Sequence, residues 1–305
     1  MNKLLIICGP TASDKTSLAA KLVKKFSGQI ISADSRQVYQ GMDIGTGKDK
    51  PKGVKILGYD LIKPNQDFSV AHFVKFALPE IKKIQSTGDL PILVGGTGLY
   101  LDAITQPFDT INVKTNKNLR TKLNSKSVNQ LQNILKKINP KKLQSMNHSD
   151  QLNPRRLVRA IEVANTNLRA WSRIRGSPSL KVEFDPLWIG LKTSKKHSDE
   201  LIEKRVDQRL KQGSQQEVTQ LIKTGYSWDL PSMSAMGYKQ WQPFFEGKAD
   251  LGQVRLSWIT AEKQYLRRQL TWFKSKPQIN WFDIKDKNLF SKLVKKINSW
   301  YNINQ

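Results

Sequence analysis

Several scarcities bound this chain of 305 residues. It has one cysteine, Cys8, which excludes an intramolecular disulfide. Its three histidines, His72, His148 and His197, are scattered and offer no ligand spacing for zinc. No apolar run approaches the roughly 20 residues that span a bilayer, and the apolar start over residues 4–8 is too short for a secretory signal. These absences predict a soluble, cytoplasmic protein with no membrane partner. Acidic residues are also few, 25 Asp+Glu against 51 Lys+Arg, which leaves a formal net charge of +26. Such an excess points to a polyanionic partner, nucleic acid first, because each Lys or Arg set on a phosphate releases a condensed counterion. A basic surface that serves only solubility is the alternative.

What is present alternates in period. Short apolar runs at residues 4–8, 29–33 and 91–94 predict strands, and residues 15–26 and 71–86 carry helical spacing. Strand, helix and strand in repetition predict a parallel α/β sheet flanked by helices. From residue 114 the composition turns to Lys, Asn, Gln and Ser with sparse Leu and Ile, which predicts a small inserted helical domain over 114–185. The catalytic core is then 1–113 with 186–305. Its second half carries a strand at 187–191, helices at 198–212 and 251–274, a last strand at 278–282 and a basic terminal helix.

Between the first strand and the first helix lie Gly9, Pro10, Thr11, Ala12, Ser13, Asp14, Lys15 and Thr16. Strand, loop and helix in that order are the context of a G-x-x-x-x-G-K-[ST] phosphate loop. Backbone N–H groups and the helix N-terminus would face the phosphates, Lys15 would add a point charge, and the Thr16 hydroxyl would reach Mg²⁺. The second glycine is missing. Asp14 stands in its place, setting a side chain in a tight turn and a carboxylate beside an anion.

Further runs stand in order along the chain: Ile31-Ser32-Ala33-Asp34-Ser35-Arg36-Gln37-Val38-Tyr39, Gly41-Met42-Asp43-Ile44-Gly45-Thr46, Val94-Gly95-Gly96-Thr97-Gly98-Leu99-Tyr100, Arg155-Arg156-Leu157-Val158-Arg159-Ala160-Ile161-Glu162-Val163 and Arg268-Gln269-Leu270-Thr271-Trp272-Phe273. With the phosphate loop, this ordered set resembles the bacterial tRNA dimethylallyltransferases, also called tRNA isopentenyltransferases, over essentially the whole chain. The resemblance implies that the amine of an adenosine 3′ of the anticodon attacks dimethylallyl diphosphate and that diphosphate leaves. The loop would then hold a leaving group and not ATP.

Carried over by position, the resemblance implies that Asp34 is the general base, that Thr16 sits by the bridging oxygen, and that Lys15, Arg209 and Mg²⁺ stabilise the diphosphate. Asp34 also has a plainer reading, as a strand-end acid or a magnesium ligand, and the base role is favoured over it. For the tRNA anticodon arm the resemblance implies contacts from Asp34, Ser35, Arg36, Gln37, Thr97 and Arg120. It adds Arg155, Arg156, Leu157, Val158 and Arg159 on one helix, then Ser234, Gly237, Tyr238 and Lys239. The long helix would supply Arg267, Arg268, Gln269, Thr271, Trp272 and Lys274. Tyr238 and Trp272 could stack on a base or simply pack. The family also implies a monomer.

Asp14 departs from the family pattern, as do Ser234, where an arginine is common, and Lys263 and Leu266 before Arg268. Two rival readings follow: a P-loop small-molecule kinase, and a catalytically weakened tRNA-binding relative. The strand at 91–94 carries no acid of the kind such kinases use for magnesium, which counts against the first.

Overall fold

Strand β1 (Lys3–Cys8) is buried at every position. It is bonded in parallel to a strand on each side, which explains why its sequence is an unbroken apolar run and not an alternating one. The computed structural model describes residues 2–106, 113, 115–166 and 184–301. Contacts divide the chain into two units, Met1–Gln106 with Val182–Gln305, and Pro107–Lys181.

In the first unit β1 is followed by α1 (Lys15–Phe26), β2 (Gly28–Ser32), β3 (Ile56–Leu57), α2 (Val70–Ser86), β4 (Leu90–Gly95) and α3 (Gly98–Thr105). The second unit carries α4 (Lys117–Asn124), α5 (Val128–Ile138), α6 (Pro140–Ser145), α7 (His148–Gln151) and α8 (Pro154–Asn165). The chain returns to the first unit with β5 (Asp185–Lys192), α9 (Lys195–Lys211), α10 (Ser214–Lys223), α11 (Gln242–Phe245), α12 (Leu251–Lys274), β6 (Ile279–Asp283) and α13 (Leu289–Tyr301). None of the helices among the described residues is long and apolar enough to cross a membrane.

Among the described residues the sheet has six parallel strands in the order β3-β2-β4-β1-β5-β6. From β1 the chain runs outward to β2 on one side, and from β4 it crosses to β5 on the other. The carboxyl ends of β1 and β4 therefore flank a topological switch point, where the two following loops diverge and leave a crevice. Leu5, Ile7, Ile92, Val94, Leu187 and Ile189 fill the core beneath it with Leu18 and Leu22 of α1. Gly190 lets β6 close the sheet, since a Cβ there would lie 2.4 Å from the Ile279 side chain.

The second unit owes its short helices to asparagine. Asn116, Asn139, Asn147 and Asn153 each start a helix, the side-chain oxygen accepting an N–H of the first turn. Leu123, Leu131, Leu135, Leu157, Val158 and Ile161 form its core. The stretch that read as a lysine- and asparagine-rich insertion is thus a sequence of capped turns around sparse leucines. Residues 114 and 167–183 of the expected insertion lie outside the described residues.

Candidate active site

The loop after β1 is shaped by three non-helical residues. Gly9 (φ +143) passes so close to β5 that a Cβ would lie 2.7 Å from the Leu191 carbonyl oxygen, so only glycine fits. Ala12 and Asp14 are both left-handed, with φ of 58° and 54°. Asp14 thus occupies the conformation for which the missing glycine is suited, and Asp is among the few other residues that tolerate it. It caps α1 without a side-chain hydrogen bond, and its carboxylate is exposed at the wall of a cavity of about 1230 Å³. Ser13 Oγ donates to the Pro10 carbonyl at 2.8 Å, and Lys15 Nζ donates to the same oxygen at 2.5 Å. Lys15 and Thr16 line the cavity.

Three cations converge on this loop. Arg205 and Arg209, one turn apart on α9, both line the cavity with Lys15. Arg205 Nη1 donates to Thr11 Oγ1 at 3.2 Å, and Arg209 Nη1 donates to Glu262 Oε1 at 3.0 Å with both side chains buried. Gly47 (φ +65) makes room for the pair, because a Cβ there would lie 2.0 Å from Arg209 Nη2 and 2.5 Å from Arg205 Nη2. Burial first, and then the Arg205 charge, push Lys15 down to about 8 despite the opposing field of Asp34. The same two causes lower Arg209 to about 10, against the pull of Glu262. Depressed cations set side by side favour an anion between them. Arg205 and Glu262 were not singled out by sequence. Their only local signal is spacing, i and i+4 for Arg205 and Arg209, and a lone acid on a basic helix for Glu262.

The same cavity is lined by Asp34, half-buried just after β2, whose Oδ1 accepts the Arg36 N–H at 2.8 Å. Ser35, Arg36, Gln37, Ser234, Arg268 and Gln269 line the same cavity. Thr97 Oγ1 accepts the Ser35 N–H at 3.2 Å. Two of these groups face inward. Gln37 is buried and spans Ser32 Oγ and the Gly47 carbonyl, at 2.7 and 2.9 Å. Gln269 is buried between Thr11 and Gly96.

Three other expected tRNA contacts, Gly237, Tyr238 and Trp272, pack within the protein. Tyr238 is fully buried, with its hydroxyl donating to Glu217 Oε1 at 2.6 Å, so its ring packs and cannot stack on a base. Glu217 also accepts the N–H groups of Asp43, Ile44 and Gly45, which fixes the segment leading to Gly47. Gly237 (φ +86) abuts Gly45 and Trp258. Trp272 lies on Gly98, where a Cβ would come within 2.3 Å of the indole. Lys239, Arg267, Thr271 and Lys274 are exposed, and Arg268 lies over the Tyr265 ring at 5.7 Å.

In the second unit Leu157 and Val158 belong to the core, which corrects their expected role as contacts. Their neighbours Arg155 and Arg156 are exposed, and Arg156 pairs with Asp150. Arg120 and Arg159 share the buried carboxylate of Glu162, which also accepts the Asn116 N–H at 2.6 Å. Burial works against ionisation of Glu162, but its bonds to both arginines hold it below the usual carboxylate range. Two cations on one anion leave this cluster net positive.

A family model described as IPP transferase matches residues 37–276, and one described as isopentenyl transferase matches residues 2–59. The chain is 38% identical over 304 residues to the tRNA dimethylallyltransferase of Carboxydothermus hydrogenoformans, covering 97% of this chain and 96% of that one. It is 34% identical over 309 residues to the tRNA dimethylallyltransferase of Caldanaerobacter subterraneus, with the same coverage of 97% and 96%. Among solved structures, the full-length tRNA isopentenylpyrophosphate transferase of Bacillus halodurans matches with a TM-score of 0.72 at 34% identity, covering 99% of this chain and 96% of that one. A eukaryotic dimethylallyltransferase that acts on tRNA shares the fold, with a TM-score of 0.83 at 23% identity over 99% of this chain and 80% of its own. With matches that run through both units and the phosphate-loop cavity, the chain belongs to the tRNA dimethylallyltransferase family.

Proposed function

We propose that this chain moves the dimethylallyl group of dimethylallyl diphosphate onto the exocyclic amine of the adenosine 3′ of the anticodon in tRNA, releasing diphosphate. The observation that carries the reading is one cavity that joins a phosphate loop and three cations to a strand-end carboxylate. The amine nitrogen forms a bond to the first prenyl carbon as the C–O bond breaks, and the bonding pair leaves with diphosphate. Asp34 takes the amine proton, since an aromatic amine is a poor nucleophile until that proton has an acceptor. Lys15, Arg205 and Arg209 meet the charge that grows on the leaving group, and so act more strongly in the transition state than before it.

The donor set suits Mg²⁺, which binds substrate phosphates with few protein ligands. Among the described residues no group of three or more His, Cys, Asp or Glu could hold a metal. Thr16 on the cavity wall would hold the ion together with diphosphate oxygens. Bound there, it would neutralise charge on the leaving group.

An adenine stacked in an anticodon arm cannot reach a diphosphate in a cavity, so it is flipped out. Exposed Arg155 and Arg156 and the pair on Glu162 suit phosphate contacts, which position an RNA without reading its sequence. The working unit is the monomer. The test is transfer of label from dimethylallyl diphosphate to tRNA with ATP as control. Labelled tRNA supports the reading; ATP turnover would support a kinase, and tight tRNA binding with neither activity a non-catalytic relative.

A further inference from the structure

Thr11 and Gly96 belong to the two loops that diverge at the switch point, and one side chain joins them. Gln269 Oε1 accepts the Thr11 N–H at 2.7 Å, and Gln269 Nε2 donates to the Gly96 carbonyl at 3.0 Å. The orientation of the amide is forced: an N–H can only donate and a carbonyl can only accept, so the oxygen must face Thr11 and the nitrogen Gly96. The side chain is 5% exposed, so neither bond is exchanged freely for water. Gly96 is matched to it, since a Cβ there would lie 2.1 Å from Gln269 Nε2. Beyond Gly96, Thr97 Oγ1 accepts the N–H of Ser35, the residue after Asp34. On the other side, Thr11 Oγ1 donates to Glu262 Oε2 at 2.9 Å, one face and two turns earlier on α12.

We propose that Gln269 is a positioning residue, a clip on α12 that sets the spacing between the leaving-group loop and the loop that locates Asp34. The inference rests on the reaction proposed above. Attack and departure take place at opposite sides of one carbon, so the carboxylate and the phosphate loop must be held at a fixed separation. A misplacement of about 1 Å is enough to cost about 100-fold in rate. Gln269 has the two functions needed, an oxygen that accepts and an NH2 that donates, and it makes one bond of each kind to these loops. Buried between the two loops, it serves their spacing and not the binding of tRNA.

The test compares Gln269→Met, which keeps the volume and removes both bonds, with Gly96→Ala, which displaces the amide from the other side. Steady-state transfer, tRNA affinity and the affinity for inorganic diphosphate by calorimetry are measured for each. In both variants kcat should fall by about tenfold or more, with tRNA affinity within about twofold of the parent and diphosphate bound more weakly. The two substitutions should also be strongly non-additive, because each breaks the same pair of Gln269 bonds. A Gln269→Met enzyme with unchanged kcat and diphosphate affinity, or one that loses tRNA affinity alone, overturns the clip. If Gln269→Met does not fold, Gly96→Ala carries the same readings. A parent that transfers no prenyl group refutes the proposed reaction instead, and the diphosphate titrations still decide whether Gln269 holds the loop.

Discussion

Replacing Asp14 by glycine should strengthen binding of the prenyl donor with little change in stability. The backbone at Asp14 is left-handed, with φ 54° and ψ 29°. That conformation costs a residue with a Cβ about 1 kcal/mol, and glycine nothing. Glycine gives back about 0.5–1 kcal/mol of that through the entropy of the unfolded chain. No cap bond is lost, since the Asp14 side chain makes none. The melting temperature should therefore move by only about 2 °C. Charge is the larger effect on the ligand: a carboxylate about 6 Å from one unit of phosphate charge opposes it by about 0.7 kcal/mol in water and about 3 kcal/mol at an effective dielectric near 20. Asp14 is exposed, which places it near the lower value, so KM for dimethylallyl diphosphate should fall by about threefold. Asp14→Asn separates the causes, because it keeps the left-handed turn and removes only the charge. Steady-state kinetics at fixed Mg²⁺ and saturating tRNA read both. If neither variant lowers KM, the carboxylate does not face the diphosphate and the reasoning fails.

Lys15, held at about 8 by burial and Arg205, must carry its proton to meet the donor. As pH rises through 8 in the free enzyme the charge is lost, so kcat/KM for the donor should fall above that point; a profile flat to pH 10 would refute it. Glu262→Ala leaves Arg209 buried without its partner and should cost about 3–5 kcal/mol in urea unfolding. Tyr238→Phe should lower stability by about 1.5–3 kcal/mol, the worth of a hydrogen bond to a charged acceptor. Because its ring is fully buried, tRNA affinity measured by filter binding should not change.

Strong periodicity carried most of the fold. Residues 15–26 and 251–274 read as helices from spacing alone and are α1 and α12. Helix α2 was legible across Pro79, which sits inside it. Strand β3 has two residues and no pattern to detect, and α3 was hidden behind a run of glycines. Those glycines read as a motif, and the structure gives them a packing reason: Gly95, Gly96 and Gly98 admit Ala33, Gln269 and Trp272. The site was legible where its parts are contiguous, as in the phosphate loop. It was not legible where they meet across the chain, as Thr11 and Glu262 do over 251 positions. Burial was the other blind spot. A motif names neighbours alike, so Leu157 and Val158 were grouped with the exposed Arg155 and Arg156 although their side chains turn into the core.

The hydrogen that stands for a side chain at Gly47 has a consequence for turnover. It lets two guanidiniums crowd together beside the Lys15 ammonium, so the cradle is electrostatically loaded. In the proposed reaction diphosphate relieves that crowding both as part of the donor and after it has left the prenyl carbon. A cradle assembled in advance for the leaving group is equally a cradle for the product. Free diphosphate should therefore inhibit by competing with the donor.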